Sequence, residues 1–98
     1  MTPEGIVKKK VSSLLKKYGA YYEMPVPIGF GKSGLDYIGC IAGRFFVVET
    51  KAGYNLPTPR QLITIQNVRN AGGMAFVVNE IYGFDDLENW LEKVTEEK

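Results

Sequence analysis

A chain of 98 residues, 45% hydrophobic and 23% charged, has the size and composition of one globular domain, expected to span residues 1 to 98. It holds no histidine and a single cysteine, Cys40, which excludes histidine-ligated zinc, Ser-His-Asp triads, histidine general bases and an internal disulfide. Net charge is +1 but uneven: residues 1 to 51 carry eight Lys/Arg against four Asp/Glu, and residues 80 to 98 carry two against seven. The first half suits a polyanionic partner and the acidic end should face away from one.

No run of about 18 apolar residues is present, so no membrane-spanning helix is expected. The start, Met-Thr-Pro-Glu and then Lys8-Lys9-Lys10, lacks the apolar stretch of a signal peptide. With the lone cysteine, this gives the expectation of a reducing, cytoplasmic compartment. Any metal here must be held by oxygen, which favours magnesium, with manganese as its substitute.

The spacing predicts a first helix over residues 3 to 18. Val7, Val11, Leu14 and Tyr18 form its apolar stripe, Thr2 caps it with Pro3 at the first helical position, and Gly19 ends it. Tyr21 to Val26 reads as a short aromatic strand that Pro25 and Pro27 confine to an edge or terminate. Residues 28 to 34 form a glycine-rich loop. Its Gly31-Lys32-Ser33 invites a phosphate-loop reading, which fails because the first required glycine would fall at Val26 and no helix follows.

Asp36 to Ala42 and Phe45 to Lys51 read as a hairpin turning at Gly43-Arg44. The second of these strands is apolar on both faces, so it should be central and covered by helices on each side. Thr58-Pro59-Arg60-Gln61 is a capping box that opens a helix running to about Ala71 and stopping at Gly72-Gly73. Met74 to Asn79 is another buried strand. Asp85 should cap a final helix over residues 86 to 96, with Leu87, Trp90, Leu91 and Val94 on one face. The order α-β-β-β-α-β-α implies a small mixed α/β sheet with helices on both faces.

The charges of the hairpin carry the chemistry. With the turn at Gly43-Arg44, Asp36 lies opposite Lys51, and Glu49 shares that face. A three-residue loop would turn Asp36 to the other face. Two carboxylates and an amine gathered at a sheet edge suit a divalent-metal phosphodiesterase site, in which the ion offsets carboxylate repulsion and polarises the reacting groups. The blander reading is an Asp36–Lys51 salt bridge with Glu49 solvated. Phe45 to Val48 precede Glu49, and that apolar setting favours function, since buried charges need a partner. Glu4 extends the apolar stripe and can point inward, or it serves the dipole of the first turn. Gln61 is accounted for by its capping box, with a contact to a metal-bound water or substrate phosphate as the alternative. Lys32, Ser33 and Arg60 on adjacent loops, with Lys8 on the first helix, could hold DNA phosphates. Tyr21, Tyr22 and Tyr54 could stack on bases or pack against the sheet.

These residues resemble the PD-(D/E)xK nuclease superfamily, whose core order is αβββαβ, over about residues 3 to 79. More narrowly they resemble a stand-alone virus-type replication-repair nuclease (VRR-NUC) domain. The matching features are Glu4, Gly34-Leu35-Asp36, Glu49-Thr50-Lys51-Ala52-Gly53, Thr58-Pro59-Arg60-Gln61 and Gly72-Gly73. Leu35 departs from the superfamily, which often has proline there. The resemblance implies a restriction-endonuclease-like fold and a Mg²⁺- or Mn²⁺-dependent endonuclease. Asp36, Glu49 and the Thr50 carbonyl would hold the metal, Lys51 would serve the nucleophilic water, and Glu4 and Gln61 would complete the site. It further implies a virus-encoded enzyme acting as a homodimer on branched DNA such as Holliday junctions, since symmetric cleavage needs two active sites. A general or restriction-type duplex nuclease and a catalytically silent nucleic-acid-binding module are the alternatives.

Overall fold

The computed structural model describes residues 2–25 and 35–97. In chain order its elements are α1 (Pro3–Lys17), β1 (Tyr21–Glu23), β2 (Tyr37–Ile41), β3 (Arg44–Thr50), α2 (Pro59–Asn70), β4 (Met74–Val78) and α3 (Asp85–Glu96). The four strands form one sheet in the order β1-β2-β3-β4. β1 to β3 are antiparallel neighbours and β4 runs parallel to β3. A parallel partner requires a crossover, and α2 supplies it.

The local signals act as expected in most places. Thr2 Oγ1 accepts from the Gly5 amide at 3.0 Å and caps α1. Both α1 and α2 close in the Schellman pattern. The Ala20 amide donates to Leu15 O and the Gly73 amide to Val68 O, each at 2.9 Å, around Gly19 and Gly72 at φ 75° and 94°.

β3 is the central strand, and its alternation divides the core in two. Phe46 and Val48 enter a large cluster with Val7, Val11, Leu14 and Leu15 of α1 and Leu87, Leu91 and Val94 of α3. Trp90 packs edge-on to Phe46, with ring centroids 5.8 Å apart. Val47 faces the other way, into a smaller cluster with Leu35, Ala75 and Ile65 of α2. Glu49 and Lys51 share the parity of Val47, which aims them toward the α2 face.

The structure corrects several expectations. The hairpin turns at Ala42-Gly43, with Ile41 opposite Arg44, and not at Gly43-Arg44. Both turn residues have positive φ, 52° and 77°, and in such a primed turn glycine suits the second position. Moving the turn by one residue changes each pairing by two. The register, which runs to Tyr37 opposite Val48, therefore brings Asp36 across from Glu49 and not from Lys51. A two-residue shift keeps side chains on their faces, so Glu49 and Asp36 still meet.

β1 ends at Glu23, ahead of Pro25, which has no amide to offer the ladder, and the Val26 end of the expected strand lies outside the described residues. β4 is buried at Ala75, Phe76 and Val78 as expected, although it is an outer strand with Val77 40% exposed. Asp85 is the first residue of α3 and not its cap. Phe84 holds the cap position without a side-chain hydrogen bond, and Asp85, Asp86 and Glu88 favour the helix through its dipole. No helix among the described residues is long and apolar enough to cross a membrane.

Candidate metal-dependent active site

Glu49 ends the run of apolar residues in β3 and is only 2% exposed. A carboxylate so placed must be satisfied locally. Its Oε1 accepts from the Asp36 amide at 3.2 Å. Its Oε2 accepts from Gln61 Nε2 at 2.9 Å and lies 3.3 Å from Lys51 Nζ. Asp36, in the bend before β2, is 6% exposed. Its Oδ2 accepts from the Thr50 amide at 2.9 Å and from Thr50 Oγ1 at 2.6 Å, and its Oδ1 lies 3.8 Å from Lys8 Nζ. Each acid therefore binds the main chain at the other's position or next to it. This reciprocal brace fixes both carboxylates at the end of the sheet.

The salt-bridge reading fails on two points. Lys51 pairs with Glu49 and not with Asp36, and Glu49 is buried and not solvated. The register explains the first, since Lys51 lies two residues beyond Glu49 on the same face.

Glu4 comes from the first turn of α1. Oxygens of Glu4, Asp36 and Glu49 all lie within 4.8 Å of one another. A hard divalent ion bound at about 2.0 to 2.6 Å spans opposite ligands by about 4 to 5 Å, so the set fits one such ion in span and in donor type. The N-terminal turns of both α1 and α2 border the cluster, through Glu4 and Gln61, and their dipoles favour the negative charge gathered there. Burial and hydrogen bonding leave no buried side-chain polar atom unsatisfied among the described residues.

Gln61 forms the expected capping box, and its side-chain amide has a second partner, Glu49, that neither sequence reading named. Its Oε1 accepts from the Thr58 amide at 2.9 Å, and Thr58 Oγ1 accepts from the Gln61 amide at 3.2 Å, completing the capping box. The other end of the same amide is the donor to Glu49.

Among the proposed DNA contacts, Arg60 is exposed on the first turn of α2, and Tyr54 is 76% exposed on the loop after β3. Lys8 sits at the acid cluster. Lys32 and Ser33, with the glycine-rich loop around them, lie outside the described residues. Tyr21 is 65% exposed on the edge strand, whereas Tyr22 packs against Tyr37 with centroids 5.7 Å apart.

Three contributions lay beyond sequence reasoning. One is the Thr50 hydroxyl, where the motif points only to the main-chain carbonyl of that residue. Another is Tyr37, which is fully buried; its hydroxyl donates to Lys8 O at 2.8 Å and pairs with Ser12 Oγ at 2.8 Å. The third is a staple behind Lys51. The Gly53 amide donates to Glu80 Oε1 at 2.7 Å, and Asn79 Nδ2 donates to Gly53 O at 3.2 Å. Residues 53 and 79 are too far apart in sequence for any spacing rule to join them.

The sequence matches no protein-family model and no curated protein. Among solved structures, one described as a "VRR_NUC domain" superposes with a TM-score of 0.71 at 23% identity, covering 98% of this chain and 97% of that one. The fold is therefore VRR-NUC-like, a restriction-endonuclease-like mixed α/β arrangement, as its motif order had implied.

Proposed function

We propose that this protein is a divalent-metal-dependent DNA endonuclease of one domain, acting as a homodimer on branched DNA. The observation that carries the hydrolytic reading is the convergence of Glu4, Asp36 and Glu49 within 4.8 Å, with Lys51 Nζ 3.3 Å from Glu49. A module that only bound DNA would gain nothing from carboxylates turned toward phosphate.

Asp36, Glu49 and Glu4 would hold the ion, with the Thr50 carbonyl as a further oxygen. Magnesium or manganese suits so uniformly hard a donor set. When bound, the ion supplies a Lewis acid that eases deprotonation of water and neutralises charge on the scissile phosphate. The protein's own groups do the rest. Lys51 is held beside Glu49 with its side chain 15% exposed, where it can orient the attacking water or donate to a phosphate oxygen. Gln61 and Thr50 keep the two acids in fixed rotamers, so the site is organised before substrate arrives. Arg60 and Tyr54, with Lys32 and Ser33, would hold the flanking strand.

The branched-DNA preference rests on the resemblance to stand-alone VRR-NUC domains, whose small members are similar to junction-resolving nucleases. The dimer follows from the need for one site per strand in symmetric cleavage. Cleavage of a four-way junction, a flap and a linear duplex under matched Mg²⁺ tests this finer reading. Preference for the junction supports it, and equal rates on linear duplex favour a general duplex nuclease of the same fold.

A further inference from the structure

Tyr37 is fully buried in the core cluster that α1 shares with the sheet, yet its ring carries a hydroxyl. That hydroxyl donates to Lys8 O and pairs with Ser12 Oγ, each at 2.8 Å. Lys8 and Ser12 lie four residues apart, so the hydroxyl sits against a single turn of α1. Val7, Val11, Leu14 and Leu15 supply the apolar contact of the helix with the core. Their burial selects which face of α1 points inward, but it is non-directional. A hydrogen bond has a direction and a narrow range of length, so it also fixes how far the helix slides along its own axis. Packing alone would be served as well by a phenylalanine.

We propose that the Tyr37 hydroxyl is a positioning group for the metal site: it sets the axial position of α1 and thereby carries Glu4 to Asp36 and Glu49. This rests on the metal-dependent nuclease reading above and names what joins its ligands from separate elements.

The two ends of the tie support it. Tyr37 follows Asp36 directly in sequence, and Lys8 lies one helical turn after Glu4. The bond therefore links a residue beside one acid to a residue one turn from another, and the oxygens of both acids lie within 4.8 Å of each other and of Glu49. A slide of α1 by one residue is about 1.5 Å. Oxygen ligands of a hard divalent ion stand at about 2.0 to 2.6 Å from it. A slide of that size takes Glu4 out of the set, while Asp36 and Glu49 keep the hydrogen bonds that brace them. The Lys8 ammonium stands 3.8 Å from Asp36 Oδ1 with its side chain 36% exposed. That longer, partly solvated tie on a flexible stem holds the helix less firmly.

Mn²⁺ calorimetry of the metal-free protein tests this through a double-mutant cycle, with circular dichroism to confirm that each variant is folded. Tyr37→Phe is expected to weaken Mn²⁺ binding about tenfold, and Glu4→Gln to weaken it about tenfold or more. The double variant should bind no more weakly than Glu4→Gln alone, because the position of α1 ceases to matter once Glu4 is no longer a ligand. Ser12→Ala removes one of the two bonds and should show the same coupling with a smaller loss, which carries the test should Tyr37→Phe not fold. A merely structural role for Tyr37 would lower stability and leave Mn²⁺ affinity alone, or weaken binding equally with and without Glu4. Either result in folded proteins overturns the proposal, as does an unchanged affinity in Glu4→Gln. The expected non-additivity in a protein that cleaves no DNA with Mg²⁺ or Mn²⁺ would sink the nuclease reading and leave the role of Tyr37 standing. A folded wild-type protein that binds no Mn²⁺ would overturn both.

Discussion

Gln61 donates from Nε2 to Glu49 Oε2 at 2.9 Å while its Oε1 accepts from the Thr58 amide at 2.9 Å. One side chain thus caps α2 and orients a buried acid, so the start of the helix and the geometry of the site cannot vary independently. Gln61→Ala removes both bonds and should cost about 1 to 3 kcal/mol of stability. Gln61→Glu keeps the capping acceptor but sets a second carboxylate against Glu49. The glutamate variant should lose stability in EDTA and show a larger Mn²⁺-induced rise in Tm than the wild type, because metal binds only the folded state and now relieves added repulsion. Paired thermal melts with and without Mn²⁺ measure this, and equal rises in the two proteins would count against it.

Thr50 donates twice to Asp36 Oδ2, from its amide and from its hydroxyl. Thr50→Val keeps the shape and the amide but removes the hydroxyl bond at a fully buried position. The expected cost is about 1 to 2 kcal/mol, with weaker Mn²⁺ binding because Asp36 is less well fixed. Thr50→Ser should recover most of the metal affinity. Denaturant titration and Mn²⁺ calorimetry on both variants check the pair, and a Thr50→Val protein with wild-type affinity would show that the hydroxyl does not position Asp36.

Burial of the Tyr37 ring raises its phenol above the ordinary value of 10.0, with the Tyr22 and Asp36 charges acting in the same direction and the Ser12 hydrogen bond opposing them. The folded protein therefore holds this proton more tightly than the unfolded chain. Its contribution to stability is complete below about pH 10 and is lost as pH rises toward the folded-state value. Tyr37→Phe should flatten that alkaline fall and cost about 0.5 to 1.5 kcal/mol at neutral pH, through the lost bonds to Lys8 O and Ser12. Urea titrations between pH 8 and 11 read the difference. Parallel pH profiles for the two proteins would contradict it.

Ala42 holds φ 52° in the hairpin turn, ahead of Gly43 at 77°. Alanine is strained there, whereas asparagine and glycine adopt this region readily. Ala42→Asn should stabilise the protein by about 0.5 to 1 kcal/mol and leave metal binding unchanged, because the turn lies at the opposite end of the strands from the acids. A destabilised Ala42→Asn protein would argue against the turn as described.

Most of the frame could be read from local pattern. The Val7, Val11 and Leu14 stripe, the Thr58 capping box and the Gly72-Gly73 stop each encode a structure within a few residues, and each forms as expected. The Glu-x-Lys spacing likewise places Glu49 and Lys51 together. What was lost depends on distance in sequence or on one-residue choices. The turn slipped by one position because Gly-Arg and Ala-Gly both offer a glycine, and only strand pairing selects between them. Gln61 looked complete as a cap, since nothing local reveals that its other end meets an acid twelve residues earlier. Lys8 lay outside the apolar stripe and read only as a DNA-phosphate contact, and the close approach of α1 to the bend at Asp36 is what brings its ammonium to the acids. Asp85 had the right residue type for a cap, but the helix begins on it, one position early.

Asp36, Glu49, Glu4 and Lys51 are proposed to form one metal-dependent hydrolytic site. Its most direct test is cleavage of a synthetic four-way junction by wild type and by Glu49→Gln, in Mg²⁺, Mn²⁺ and EDTA, with circular dichroism to confirm that both are folded. Wild type should cleave only with a divalent ion, and Glu49→Gln should fall by about two orders of magnitude or more. A folded Glu49→Gln protein that cleaves at the wild-type rate, or a wild-type protein that cleaves equally well in EDTA, would contradict it.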